Sequence, residues 1–162
     1  MNIEMWDIER VKPYDRNPRR NDRAVDAVAK SISEFGFRQP IVVDAGGMVV
    51  VGHTRLKAAL KLGLKMVPVH IAADLSPQQV RAYRLADNRL AEIAEWDADL
   101  LPIELSELRA DGVDLELLGF TDKELAEYLK EFDTDLEGGE AGAKEAAETV
   151  HCPKCGHEFS PR

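Results

Sequence analysis

The chain has 162 residues, of which 44% are hydrophobic, and its two cysteines are too few for a disulfide framework. The length fits one domain with a small appendage, and no apolar run approaches the roughly 18 residues of a membrane span, so we expect a cytoplasmic protein with no membrane segment. The net charge of −9 is unevenly placed, because residues 9–65 hold twelve basic and six acidic residues, whereas residues 131–149 hold seven acidic residues and one lysine.

The N-terminal part of the chain predicts a strand, a basic loop and a helix. Residues 5–11 are predicted as the strand, with Met5 and Trp6 as packing anchors. Residues 15–23 hold four arginines, one proline and no large apolar residue, which is typical of a loop. Asp22 is a suitable N-cap for a helix whose apolar residues recur at i, i+3, i+4 and i+7. Gly36 ends that helix.

A hairpin and a second helix are predicted next. Residues 41–43 and 48–51 are apolar strands, and the sequence Asp-Ala-Gly-Gly at 44–47 is a turn signal between them. Helical spacing of apolar residues begins after Gly52, and Gly63 is a natural residue to follow the helix end. The tetrapeptide Gly-His-Thr-Arg therefore lies at a strand-to-helix junction.

This junction has the properties of an anion site. The first N–H groups of a helix have no partner and its dipole is positive there, which favours phosphate. Gly52 lets the backbone approach closely, Thr54 offers a hydroxyl, and Arg55 offers a planar fork for two oxygens. His53 completes the tetrapeptide. The alternative is an ordinary strand–turn–helix with an exposed arginine, since this is not a Walker-A loop.

Residues 66–71 predict a further strand, in which Pro68 indicates an edge position or a bulge. Ser76 then opens a capping box for a helix that extends to about residue 94. Asp87 and Asn88 fall near the middle of that helix, although both are mediocre helix formers. Either they have a function there, or they belong to an exposed polar face.

The remaining segments predict two more helices and an acidic linker. Asp97 begins a helical run that ends at Gly112, and Thr121 opens a second capping box for a helix to about residue 132. These helices are suited to pack on the preceding domain or to mediate dimerisation, and no complete helix-turn-helix is evident. Residues 133–149 are rich in Gly, Ala and Glu, which is typical of a flexible linker.

The last residues contain half of a zinc knuckle. Cys152 and Cys155 have the CxxC spacing of Zn²⁺ ligands, and His157 and His151 are candidate further ligands. A second chain could instead supply the two missing thiolates, which would make the site intermolecular. The alternative is a pair of free thiols on a loose tail.

Three stretches resemble a known family in their order and spacing. They are NPRR at 17–20, DAVAKSISEFGFRQPIVV at 26–43 and VGHTRLKAALKLGLKMVPV at 51–69. Together they resemble the N-terminal domain of the ParB/sulfiredoxin superfamily, in particular the ParB-like domains fused to phage and bacterial DNA methyltransferases. The resemblance implies an α+β fold with a small mixed sheet and surrounding helices.

The resemblance also implies a domain order. A ParB/sulfiredoxin-like nucleotide-binding domain would occupy residues 1–96 and a helical subdomain residues 97–132. The acidic linker at 133–149 and the zinc-knuckle-like tail at 150–162 would follow.

Partition proteins of this family carry Gly-Glu-Arg-Arg-x-Arg-Ala where this chain has GHTRLKA, and a Glu-Asn-x-x-Arg motif where it has Asp87 and Asn88. Two features depart from the family pattern: Thr54-Arg55 replaces the double arginine, and the arginine of the second motif has no clear counterpart. The resemblance implies CTP or ATP bound with Mg²⁺. The implied nucleotide contacts are Gly52, His53, Thr54, Arg55, Arg19 and Asn88, the magnesium ligands are Asp87 and Asn88, and the DNA contacts are Arg16, Arg19 and Arg20.

The function that follows is a DNA-associated module of bacterial or phage origin that binds a nucleotide and modulates its grip on DNA or a partner. Such a partner is a second copy of the chain, a DNA methyltransferase, or a phage packaging or partition protein. The alternatives are a superfamily enzyme (nuclease, NTPase or small-molecule kinase) and a pure recruitment module for a methyltransferase. His53 occupies the catalytic cysteine position of sulfiredoxins, which argues against that activity. The chain also lacks the glycine-rich motif with which methyltransferases bind S-adenosylmethionine, which argues against methyl transfer by this chain.

Overall fold

In the computed structural model of the chain, residues 2–130, 150–151 and 158–159 are described. The chain divides into two compact units, Met1–Leu129 and Lys130–Arg162. The expected boundary between residues 96 and 97 stays a prediction. Among the described helices, none is long and apolar enough to cross a lipid bilayer.

The first unit is built on a four-stranded mixed sheet in the order β1-β4-β2-β3. Strand β4 pairs antiparallel with β1 and parallel with β2, and β2 pairs antiparallel with β3. The predicted hairpin and the α+β class with a small mixed sheet are confirmed. The strands are β1 (Ile3–Asp7), β2 (Ile41–Val43), β3 (Val49–Val51) and β4 (Met66–Ile71).

Three details of the strand prediction are wrong. Of the two predicted anchors, Trp6 is buried but Met5 is exposed. The first strand ends at Asp7 rather than at residue 11, because the Asp7 carboxylate accepts from the Glu9 N–H (2.9 Å) and starts a 3-10 turn over Ile8–Arg10. Pro68 lies in an inner strand rather than at an edge. It is tolerated because the β2 pairing of β4 begins one residue later, at Val69, so its missing N–H falls outside that ladder.

Helices cover both faces of the sheet. Helix α1 (Val25–Phe35) packs against α2 (His53–Lys61), and α3 (Pro77–Ala91) lies against β3. Neighbouring strand residues point to opposite faces, and accordingly Val49 packs in one cluster while Val50 packs with Val80 of α3 in another. The larger cluster contains Trp6, Ile8, Val11, Ile41, Val43, Val49, Leu56, Ala59, Val67 and Val69.

The helix starts show where local capping rules hold. Ser76 and Gln79 form the predicted capping box of α3, which ends at Ala91 rather than near 94. The prediction of Asp22 as N-cap of α1 is wrong. A 3-10 turn over Asp22–Ala24 precedes α1, and the Asp22 carboxylate instead accepts from Lys57 Nζ at 2.6 Å, which holds the pKa of Asp22 below its usual value.

The C-terminal helices of the first unit have their own small core. Helix α4 (Leu100–Ala110) begins after the predicted Asp97, whose carboxylate accepts from the N–H groups of Asp99 and Leu100. The capping box at Thr121 is confirmed and opens α5 (Asp122–Tyr128). Leucines from these helices and from the 3-10 turn Leu115–Leu118 form the core: Leu101, Leu105, Leu115 and Leu129.

In the described residues of the second unit, the strands β5 (Val150–His151) and β6 (Glu158–Phe159) pair antiparallel, with Val150 opposite Phe159. The predicted zinc ligands Cys152, Cys155 and His157 lie outside the described residues. That prediction therefore remains open.

Candidate functional site

The predicted phosphate residues line one cavity of about 520 Å³, which is within the size range of small-molecule sites. Its walls come from α1, the start of α2, the loop at 17–21, the loop at 36–39 and the C-terminal half of α3. One side is apolar, with Val28, Ile32, Phe35 and Phe37, and the other side is polar, with Asn17, Arg19, Asn21, Gly52, His53, Thr54, Arg55, Asp87 and Asn88.

The start of α2 is an uncapped helix N-terminus facing this cavity. Gly52 precedes it with φ of 103°, a left-handed conformation that favours glycine, and no side chain caps the helix. The first helical hydrogen bond runs from the Leu56 N–H to the Gly52 carbonyl (2.9 Å), so the amides of the preceding turn have no helical partner. A Cβ at Gly52 would lie 3.1 Å from Arg55 Nε, so the glycine also makes room for that guanidinium.

Arg55 is held at the mouth of the cavity. Its Nη1 donates to Gln39 Oε1 (2.8 Å) and to the Gln39 carbonyl (3.3 Å). Burial lowers the pKa of Arg55, while the charges of Asp87 and Tyr83 act in the opposite direction. A guanidinium has five N–H donors, so the contacts to Gln39 leave most of them available to a ligand in the cavity.

Thr54 is connected to the loop at residues 15–23, here called the arginine-bearing loop, through a buried asparagine. Asn21 donates from Nδ2 to Thr54 Oγ1 (3.0 Å) and accepts at Oδ1 from Lys57 Nζ (3.0 Å), and Lys57 also pairs with Asp22. Asn21 is 8% exposed, and all its side-chain partners come from α2. The sequence pattern did not identify this residue, because nothing local distinguishes it from the other polar loop residues.

His53, the first residue of α2, is neutral. Burial, then the positive charges of Arg84 and Lys57, lower the pKa of His53 to about 4. Its Nε2 accepts from the Tyr14 N–H at 3.3 Å, a role that only the neutral ring can fill. His53 thus anchors the start of the arginine-bearing loop to the helix that faces the cavity.

The neutral state of His53 makes the folded protein sensitive to acid. An unfolded histidine titrates near pH 6.5, so between pH 6.5 and about 4 the unfolded chain binds a proton that the folded chain does not. The contribution of neutral His53 to the free energy of unfolding is therefore fully present above pH 6.5, and it is lost as the pH falls toward 4. We expect a loss on the order of 1 kcal/mol, since His53 is only partly buried and solvent screening reduces the effect.

Urea titrations of the wild type and of His53→Gln across this pH range measure that loss, because the variant cannot titrate at this position. The wild type should lose more stability than the variant as the pH falls. A His53 resonance that titrates near pH 6.5 by NMR is the contrary result.

Arg19 joins the arginine-bearing loop to α3. Its Nη1 donates to the Asn88 carbonyl (3.0 Å) and lies 3.1 Å from Glu92 Oε1. Asn88 Nδ2 donates to the Arg84 carbonyl (2.8 Å), which leaves its Oδ1 as an acceptor beside Asp87. In the described part of the chain, no three His, Cys, Asp or Glu side chains group into a metal site. Asp87 and Asn88 offer oxygen ligands, and Mg²⁺ commonly uses only one or two from the protein when phosphates supply others.

Arg84 is a buried residue beside the site that the sequence pattern did not identify. It is 4% exposed, donates from Nε (3.2 Å) and Nη2 (3.1 Å) to the Val49 carbonyl, and lies over the Tyr14 ring, 3.8 Å from its centroid. The available signal was its spacing, because Arg84 is four residues after the buried Val80 and so occupies the inward face of α3.

The predicted residues divide into two groups. All the predicted nucleotide and magnesium residues line the cavity, whereas Arg16 and Arg20 do not. Arg16 instead lines a neighbouring groove with Tyr14 and α3. The structure thus brings together the phosphate-binding candidates and separates two of the three candidate DNA contacts from them.

The fold and the site define a small α+β domain with an uncapped, arginine-bearing helix N-terminus beside a cavity. A ParB N-terminal domain profile matches residues 1–89, and a ParB-methyltransferase HTH domain profile matches residues 99–154. The chain belongs to the ParB N-terminal domain family. The second match corrects the sequence analysis, which found no complete helix-turn-helix in these residues.

Several relatives agree with this assignment. A probable chromosome-partitioning protein ParB of Campylobacter jejuni is 31% identical over 82% of this chain, and the chain spans only 46% of that protein. The ParB-like nuclease domain-containing protein YnaK of Escherichia coli is 32% identical over 44% of the chain and 84% of its own length.

A solved structure has the same fold. It is the C-terminally truncated chromosome-partitioning protein ParB of Caulobacter crescentus complexed with CTP-gamma-S. It superposes with a TM-score of 0.64 at 23% identity, covering 88% of each chain.

Proposed function

We propose that this chain is a nucleotide-binding module that holds a nucleoside triphosphate in the cavity at Gly52 to Arg55 and thereby modulates its binding to DNA or to a partner. The observation that carries the proposal is the uncapped start of α2 together with Arg55, both facing a 520 Å³ cavity. Unpartnered amides and a guanidinium together are suited to several phosphate oxygens.

The two sides of the cavity suit the two ends of a nucleotide. The polar side holds the helix N-terminus, Arg19 and Arg55, while the side formed by α1 and Phe37 is apolar. Phosphates fit the first and a base fits the second, because aromatic and aliphatic side chains favour the faces of a ring. The CTP analogue bound by the Caulobacter relative supports CTP as the first nucleotide to test, with ATP as the alternative.

Binding in this cavity has a route to the arginine-bearing loop, which holds the candidate DNA contacts. The loop at 15–23 is tied to the cavity at Asn21, through Thr54, and at Arg19, through Asn88. A ligand that changes these contacts changes the positions of the loop arginines. DNA as partner is supported by the partition function in the names of the relatives and by the match to a helix-turn-helix domain.

The test is a binding assay over the four nucleoside triphosphates, each with and without DNA, in increasing salt. The proposal requires one nucleotide to bind and to change the affinity for DNA, which must weaken as salt rises because phosphate neutralisation releases counterions. Absence of binding by all four excludes the proposal. Product analysis in the same samples separates a switch from an enzyme, which matters because the Escherichia coli relative is named for a nuclease domain.

Magnesium is part of this proposal, with Asp87 and Asn88 as its protein ligands and the nucleotide phosphates completing its shell. Both side chains line the cavity. We expect chelation of magnesium to weaken nucleotide binding in the wild type, and to weaken it much less in Asp87→Ala/Asn88→Ala. Calorimetry with and without a chelator measures both. Equal nucleotide affinity in the two conditions for the wild type excludes the assignment.

Zinc at the C-terminal CxxC is a separate proposal. Thiolates at this spacing suit a tetrahedral site, and Cys152 and Cys155 fill half of one. Metal analysis of protein purified without added zinc or chelator should give one Zn²⁺ per chain if His157 and His151 complete the site, and one per two chains if a dimer does. A value near zero that Cys152→Ser leaves unchanged excludes zinc.

A further inference from the structure

A second groove shares no lining residue with the cavity. It has a volume of about 400 Å³ between the arginine-bearing loop and the first half of α3. Arg16 and Arg81 are exposed on it, and neither has an ion-pair or hydrogen-bond partner among residues 2–130. Its lining consists of Tyr14, Arg16, Pro18, Gln78, Arg81, Ala82, Arg84 and Leu85, which includes no acidic residue.

The floor of this groove is rigid. The Tyr14 ring packs on the Arg84 guanidinium, whose Cζ lies 3.8 Å from the ring centroid, and the Tyr14 N–H donates to His53 Nε2. Arg84 itself is buried and bonded to the Val49 carbonyl. Arg16 follows Tyr14 by two residues, and the loop is fixed again at Arg19. The two free guanidinium groups are therefore presented from anchored backbone on both sides of the groove.

Several other basic residues near the cavity are already paired with carboxylates. Lys57 pairs with Asp22 and Lys61 with Asp26, so these lysines of α2 are partly neutralised. Arg19 is paired with Glu92. The unpaired positive charge of this region therefore includes Arg16 and Arg81, which face one groove. A neighbouring hollow shares Tyr14, Arg81 and Arg84 with the groove. Its acidic lining residue is Asp44, whose carboxylate accepts from the N–H groups of Gly46 and Met48.

We infer that this groove binds the phosphodiester backbone of a nucleic acid, with Arg16 and Arg81 each contacting a phosphate. A guanidinium binds a phosphate through two parallel N–H donors. Gln78 offers a neutral donor, while Pro18 and Leu85 offer apolar surface for sugar or base. The inference rests on the proposed function only in taking DNA as the partner, and it adds Arg81, which no sequence motif indicated.

The test uses the full chain and compares Arg16→Gln/Arg81→Gln with Lys12→Gln/Lys65→Gln. Both changes remove two charges, and neither lysine lines the groove or the cavity. Affinities for a duplex and for its single strand are measured from about 50 to 200 mM salt. Loss of two phosphate contacts should lower the slope of log K against log salt by roughly 1.8 on duplex or 1.4 on single strand. The DNA form, duplex or single strand, whose slope falls by its full expected amount is the form that the groove binds.

Several results overturn the inference. They are an equal slope in the wild type and in Arg16→Gln/Arg81→Gln, an equal loss in the lysine variant, or no DNA binding by the wild type at low salt. Polyglutamate binding is measured in the same variants. If Arg16→Gln/Arg81→Gln loses binding to polyglutamate while its DNA binding is unchanged, the groove binds an acidic peptide and the inference is also overturned. Nucleotide affinity should be unchanged in the arginine variant. A failure of nucleotide binding together with a reduced slope would refute the proposed function alone.

Discussion

Replacing Arg55 by alanine is expected to weaken nucleoside triphosphate binding by roughly tenfold or more. A hydrogen bond to a charged group contributes about 1.5–3 kcal/mol, and 1.4 kcal/mol corresponds to a factor of ten in affinity. Arg55 is positioned for such contacts, because Gln39 holds its Nη1 while Gly52 leaves space beside Nε. Isothermal titration calorimetry with each nucleotide measures the loss.

Two variants control this experiment. Arg23→Ala removes the same charge from an exposed position that does not line the cavity, and it should leave nucleotide affinity nearly unchanged. Arg55→Lys keeps the charge but loses the planar fork, so its affinity should fall between those of the wild type and Arg55→Ala. Equal nucleotide affinity in Arg55→Ala and the wild type, with equal melting temperatures, contradicts the phosphate role.

The uncapped helix N-terminus of the candidate site could be predicted because it is local. Strand β3, Gly52 and α2 follow each other directly, so the chain order alone places the tetrapeptide at a helix N-terminus. The capping boxes at Ser76 and Thr121 were predicted for the same reason, since each depends on residues three positions apart. Local patterns of this kind do not depend on how distant elements pack.

The connections around the site depend on tertiary packing and were not predictable. Asn21 reaches Thr54 across 33 positions, and Arg84 reaches Val49 across 35. The N-cap prediction for Asp22 failed for this reason, because Lys57 on a packed neighbouring helix offers its carboxylate a charged partner. Pro68 was misplaced because strand order is a property of the whole sheet.

The largest stability effect is expected for Arg84→Ala. The Val49 N–H donates to the Lys12 carbonyl, and the Val49 carbonyl accepts both bonds from Arg84. Removing the guanidinium leaves that buried carbonyl without its donors and the Tyr14 ring without its partner. We expect the free energy of unfolding to fall by about 2–3 kcal/mol, since bonds to charged groups contribute about 1.5–3 kcal/mol and the deleted side chain leaves a void.

Arg81→Ala is the matched control, because Arg81 lies three residues earlier on the same helix, is exposed and has no partner among residues 2–130. Its effect should stay within about 0.5 kcal/mol, as for most surface substitutions. Arg84→Met separates the two parts of the effect, since it refills much of the volume but still leaves the Val49 carbonyl unbonded. Urea unfolding of the three variants measures these differences. If Arg84→Ala costs no more than Arg81→Ala, the buried arginine does not hold β3, α3 and the arginine-bearing loop together.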